Sequence, residues 1–170
     1  TISGIDTLSR LDNITSGTYF LRSTDRKGCI KTDSIKITEP DGMRLMNSDL
    51  HYGNDGTYNI SCNGGKDGSI MLTIAGGSGE YIYSWSGPGS FTANTKDISS
   101  LKSGNYTCLI RDMNGCVLTP SPVFDLSEPP PLAVSYVVST SADGAYNINC
   151  AGGPGSVNIT VSGGITGTYQ

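Results

Sequence analysis

The chain repeats itself, and self-similarity at a fixed spacing decides architecture before any local motif does. Asp55-Gly-Thr-Tyr-Asn-Ile-Ser-Cys62-Asn-Gly-Gly-Lys-Asp-Gly-Ser-Ile70 returns 88 residues later as Asp143-Gly-Ala-Tyr-Asn-Ile-Asn-Cys150-Ala-Gly-Gly-Pro-Gly-Ser-Val157, one residue shorter after the cysteine. Ser16-Gly-Thr-Tyr19 ahead of Gly28-Cys29 recurs as Ser103-Gly-Asn-Tyr106 ahead of Gly115-Cys116, and Thr38-Glu39-Pro40 recurs as Ser127-Glu128-Pro129. A period of about 88 residues suits one small β-sandwich per copy. The phase predicts three pieces: residues 1–40 as the C-terminal half of a first repeat, 41–129 as a complete sandwich, and 130–170 as the N-terminal half of a third. Half a sandwich cannot bury its apolar face alone, so the chain reads as a piece of a longer protein.

Short stretches of alternating polarity between Gly, Asn and Asp turns mark an all-β fold. In the complete copy the pattern predicts about seven strands, at 43–52, 57–62, 69–75, 80–86, 95–98, 105–111 and 117–126, with Gly53-Asn-Asp-Gly56 as a hairpin turn. Ile70, Leu72 and Ile74 share an inner face, repeated by Val157, Ile159 and Val161. Tyr81, Tyr83 and Trp85 share another, and Trp85 is the expected core residue because a sandwich this small needs a large side chain inside. Leu101-Lys-Ser-Gly-Asn-Tyr106 resembles the corner of immunoglobulin-like sandwiches, where a Tyr bonds back to the backbone just upstream. The Glu-Pro steps at 39–40 and 128–129 are natural stops between copies, since proline cannot donate to a ladder.

Cysteines follow the repeat. Cys62 and Cys150 hold one position and Cys29 and Cys116 another, so each full copy owns two. If strands simply alternate in direction, Cys62 and Cys116 fall at one end of the sandwich and form a disulfide. The rival pairing of Cys29 with Cys62 across a junction would span about 30 Å of strand, against the ~7 Å that a bridge allows between Cα atoms. Cys108 lies on the face of Tyr106 and Ile110 and takes the place of Leu21, so it is expected as a small apolar core residue. A spaced pair in a Ser/Thr-rich β chain points to an oxidising, extracellular setting.

Several function classes are excluded. Charged residues make up 15% of the chain, below the roughly 25% of ordinary domains, while Ser and Thr together number 39. The net charge is −4 and no Lys/Arg cluster occurs, so the footprint nucleic acid requires is missing. No apolar run reaches the ~18 residues of a membrane span. His51 is the single histidine, with no base or oxyanion cradle beside it, and the three glutamates leave a paired-carboxylate hydrolase almost nothing to use. No enzyme activity and no cofactor are expected. Asp55, Asp67 and Asp112, in turns, are the residues a calcium ion would draw on, but no acidic cluster gathers them.

The ordered run Cys62-Asn-Gly-Gly-Lys-Asp-Gly-Ser-Ile70, Ala75-Gly-Gly77, Tyr81-Ile-Tyr-Ser-Trp85, Asp97-Ile-Ser-Ser-Leu101, Ser103-Gly-Asn-Tyr106 and Asp112-Met-Asn-Gly-Cys116 resembles the SprB repeat of gliding-motility adhesins of Bacteroidetes. The chain departs from that pattern at Ser78-Gly-Glu80, where a Pro-Pro-like step is expected, and in the added segment from Met43 to Cys62. The resemblance implies a secreted cell-surface fibre, exported by the type IX secretion system and carried by the gliding machinery, that holds a tip for surface polysaccharide or another extracellular ligand. The alternative is a carbohydrate-binding accessory module of a secreted enzyme, which requires Tyr81, Tyr83 and Trp85 on the outside.

Overall fold

A computed structural model describes residues 10–51 and 56–165. The chain divides into two compact units, Thr1–Gly42 and Met43–Gln170. In the first, strands β1 (Gly17–Thr24) and β2 (Ile30–Ile37) form an antiparallel hairpin, with Gly17 opposite Ile37 and Thr24 opposite Ile30.

The second unit holds β3 (Arg44–Leu50), β4 (Gly68–Ala75), β5 (Tyr81–Gly87), a 3-10 turn at Pro88–Ser90, β6 (Phe91–Ala93), β7 (Ile98–Leu101), β8 (Gly104–Asp112) and β9 (Val123–Leu126). A further antiparallel pair follows, β10 (Ala133–Val138) with β11 (Val157–Ser162). The seven strands β3 to β9 make two antiparallel sheets, ordered β3-β4-β7 and β6-β5-β8-β9. This is the all-β sandwich that the turn spacing predicts, and no α-helix occurs among the described residues.

Alternation along each strand fixes what faces inward, because successive side chains leave a strand on opposite sides. Ile70 and Leu72 point inward from β4, Tyr83 and Trp85 from β5, Tyr106, Cys108 and Ile110 from β8, and Phe124 and Leu126 from β9. Trp85 is 2% exposed and lies 5.8 Å from the Phe124 ring. Its indole N–H donates to the Thr95 carbonyl at 2.9 Å, so the polar edge of the buried ring is satisfied. Tyr106 meets Phe91 edge-on at 5.4 Å, and the backbone of β5 passes so near that a Cβ on Gly87 would sit 2.5 Å from the Tyr106 ring.

The pattern misplaces one strand. Residues 57–62, expected to return antiparallel to the first strand, form a loop, and β3 pairs directly with β4, from Arg44 opposite Ala75 to Leu50 opposite Ile70. The physical cause is competition for backbone donors. The Asn59 and Ile60 N–H groups both donate to the Ser127 carbonyl at 3.0 Å, and the Ile60 side chain is fully buried as a plug. Apart from Gly56, the hairpin turn expected at 53–56 lies outside the described residues. The strand expected at 95–98 is replaced by the short β6 and β7, and the one expected at 117–126 shrinks to β9, since Pro120 and Pro122 have no N–H to give a ladder.

Where one strand was expected at 95–98 there are two, β6 and β7, so five strands instead of four separate Cys62 from Cys116, and the parity on which the disulfide expectation rested is reversed. Cys62 lies in the loop beside the end of β9, whereas Cys116 follows the end of β8, whose other terminus, Gly104, is the residue opposite Leu126. The nine residues of β8 separate these ends by about 26 Å at ~3.3 Å per residue. All five cysteines are unpaired. The strand order therefore does not bring Cys62 and Cys116 of this sandwich together.

Replacing Trp85 with alanine is expected to cost about 3–5 kcal/mol in urea unfolding. In the unchanged chain its emission should be blue and shielded from iodide; a red, quenchable Trp85 would contradict its burial between the sheets.

Candidate functional site

Among the described residues, specific polar chemistry is concentrated at the two ends of the sandwich. The leading end, where β3 begins and β8 finishes, is built on Asp112. Its side chain is 1% exposed, and its Oδ1 accepts the N–H groups of Asn114 at 3.0 Å and Cys116 at 2.9 Å. Its Oδ2 accepts the Ser78 N–H at 3.1 Å, tying the turn after β8 to the turn after β4. Gly77 has φ +65° there, and a Cβ on it would meet Asp112 Oδ2 at 2.9 Å, so glycine is required twice over. Asp25 repeats the device in the first unit, accepting from Lys27 at 2.9 Å and Cys29 at 2.8 Å.

Both carboxyls are held below the usual carboxylate range. For Asp25 the largest cause is the Cys29 N–H, with Lys27 and Gly28 adding to it. For Asp112, burial pushes upward, but the N–H donors of Cys116, Ser78 and Asn114 outweigh it.

The trailing end is organised by Asn59 and Glu128. Asn59 Nδ2 donates to the His51 carbonyl at 2.9 Å, and its Oδ1 accepts the Ser127 N–H at 3.0 Å. Glu128 accepts from Asn63 Nδ2 at 3.2 Å and from the Gly64 N–H at 2.9 Å, and Asn63 Nδ2 also reaches the Pro129 carbonyl at 3.0 Å. The loop after β10 repeats part of this: Asn147 Nδ2 donates to the Ser139 carbonyl at 3.1 Å, and the Gly153 N–H closes on the Cys150 carbonyl as Gly65 does on Cys62, each at 2.9 Å.

Tyr106 sits between the ends and donates its hydroxyl to the Lys102 carbonyl at 3.0 Å; Tyr19 donates to Thr15 at 2.8 Å, again four residues upstream. Burial pushes the Tyr106 hydroxyl pKa up. Cys108, fully buried, has its thiol pushed up to about 11 by loss of solvent. Cys62 and Cys116 are exposed at opposite ends.

The remaining candidates are not brought together. His51 is exposed, and among the described residues no group of three His, Cys, Asp or Glu side chains is placed to hold a metal ion. Asp67 bonds Ser61, whose side chain is the largest cause of its lowered pKa, and Asp55 lies outside the described residues. Tyr83 and Trp85 face the core, and Tyr81 donates its hydroxyl to the Gly76 carbonyl at 2.7 Å, so this strand offers no aromatic platform. Sequence reasoning passed over Asn59, Asp97, whose Oδ1 accepts the Leu72 N–H at 3.0 Å, and the pairing of Glu128 with Asn63. The signal for Asn59 was present, because Asn59 and Asn147 occupy one repeat position.

Residues 54–90 match the family described as SprB repeat, a stretch running from the trailing-end loop through β4 and β5 to the 3-10 turn. No curated protein and no solved structure matches the chain.

This chemistry has two measurable outcomes. Lowered carboxylate values in the fold mean stability that is complete above the unfolded pKa of about 3.9 and is lost as pH falls through the folded values. Asp112→Asn should therefore lower the urea midpoint at pH 7 and reduce the drop between pH 7 and pH 3, with Asp25, Asp67 and Asp143 retaining the rest. Separately, a thiol reagent at pH 8 should modify Cys29, Cys62, Cys116 and Cys150 quickly and Cys108 only on unfolding; fast labelling of Cys108 would refute its burial.

Proposed function

We propose that the chain is a segment of tandem β-sandwich repeats from a secreted cell-surface adhesin, acting as an extended stalk without catalytic turnover. In this reading residues 1–40 close one immunoglobulin-like copy, 41–129 form the complete copy and 130–170 open another. Gliding motility, type IX export and an extracellular polysaccharide ligand held elsewhere in the parent are the setting implied by the SprB-type stretch at 54–90.

The observation that carries this reading is the recurrence of one set of hydrogen bonds at fixed spacing. Tyr19 and Tyr106 make the same upstream contact, Asp25 and Asp112 the same turn, and Asn59 and Asn147 the same clasp. A catalytic module would keep polar groups unsatisfied around a cavity. Here, among the described residues, every buried side-chain nitrogen and oxygen has a partner. Chain direction fits a stalk as well: the complete copy begins at its leading end with β3 and finishes at its trailing end with β9, so copies joined by short Pro-containing links progress along one axis.

Duplicating residues 43–131 within the chain should lengthen the maximum dimension in small-angle scattering by about 30 Å, the span of one nine-residue strand plus its turns. Melting temperature should be unchanged by EDTA, and Trp85 emission unchanged by soluble polysaccharide. A particle that grows without elongating would sink the stalk, and a polysaccharide-dependent shift of Trp85 would favour a carbohydrate-binding module instead.

A further inference from the structure

Each copy carries two exposed cysteines on ordered turns, yet its own sandwich holds them at opposite ends. We propose that the disulfide joins consecutive copies: the cysteine at the Cys62 position of one copy pairs with the cysteine at the Cys116 position of the next. This inference rests on the tandem reading above.

The direction of the chain supplies the first argument. Cys62 belongs to the trailing end, beside Glu128 and Pro129, and Cys116 to the leading end, beside Asp112 and Ser78. Where one copy follows another, a trailing end faces a leading end, so the two cysteine positions meet only across a junction.

The junction after β9 supplies the second. Asn63, the neighbour of Cys62, donates from Nδ2 to the Pro129 carbonyl at 3.0 Å. The next carbonyl, that of Pro130, accepts the Gly164 N–H at 2.8 Å. Gly164 occupies in the following copy the place of Gly77: a Cβ on Gly77 would touch Met43, and one on Gly164 would touch Leu132, the residue equivalent to Met43. In the complete copy the turn at Gly77 and Ser78 is bonded to Asp112, which in turn holds the Cys116 N–H. Two successive proline carbonyls thus connect the residue beside Cys62 with the turn that, one copy on, borders the Cys116 position.

Formation is an ordinary exchange with an external disulfide, such as oxidised glutathione or an oxidoreductase disulfide. One cysteine thiolate attacks a sulfur of that donor, giving a mixed disulfide and releasing one thiol. The second thiolate then displaces the other half. Two cysteine S–H bonds are lost and one S–S bond forms; two electrons reduce the donor to two thiols, which carry off the protons.

The test uses the chain with residues 43–131 duplicated in tandem, oxidised by glutathione disulfide and mapped as non-reduced peptides. The expected peptide links Cys62 of the first duplicate to Cys116 of the second, with Cys108 free. A link within one copy, covalent dimers alone, or both thiols left open to alkylation would overturn the proposal. Scattering on the same sample separates the two ideas, because an elongated particle without the bridge removes the bridge and leaves the stalk, whereas a particle that does not elongate removes both. If duplication impairs folding, Ile165→Cys in the original chain gives a second reading, since Ile165 follows Gly164 as Ser78 follows Gly77. Glutathione disulfide should link that position to Cys62 at least tenfold faster than to Cys116 or Cys150; equal rates, or none, would overturn the proposal.

Discussion

Closure of one sheet on another is the interaction on which the rest of the molecule depends. Ile70 and Leu72 of β4 and Ile98 and Leu101 of β7 are removed from water in one core with the inward residues of β5, β8 and β9 and with Ile60 and Leu118 from loops. Val157 and Ile159 of β11 hold the places of Ile70 and Leu72, yet they are 56% and 66% exposed, where Ile70 and Leu72 are 0% and 1%. β4 lies between β3 and β7 and faces β5, β8 and β9, whereas β11 pairs with β10 alone among the described residues, so both pairing and cover differ. At roughly 25 cal/mol per Å² of apolar surface, the burial of Ile70 and Leu72 between the sheets contributes favourably to folding.

Once the sheets are closed, the ends are held by hydrogen bonds between side chains and backbone rather than by charge pairs. Among the described residues the ion pairs reduce to Arg10 with Asp12, both exposed, a kind of contact that adds little. Asp112, Asp25, Asn59 and Glu128 instead accept or donate to N–H and C=O groups that a turn leaves without ladder partners. This gives the composition a physical meaning. A chain poor in Lys and Glu and rich in Ser, Thr, Asn and Gly can order its turns locally, copy after copy, with little dependence on ionic strength.

The two ends of the sandwich are held differently. The sandwich begins at one end and finishes at the other, where the Pro129 carbonyl accepts from Asn63 Nδ2 and the Pro130 carbonyl from the Gly164 N–H. The polar clasp at the trailing end holds the Ile60 loop over the core.

The sequence alone determined the period, the all-β class, the inward set on β4, β5 and β8, and the upstream bond of Tyr106, because each of these is written in alternation or in spacing within a few residues. It did not determine which way Cys62 faces. Alternation records the face of a strand and says nothing of its direction, which depends on how many strands intervene. Between Cys62 and Cys116 that number was decided by tertiary structure: in place of one strand at 95–98, β6 pairs with β5 in one sheet and β7 pairs with β4 in the other, so five strands intervene where four were expected. One expected strand became two, the parity changed by one, and the two cysteines were carried to opposite ends.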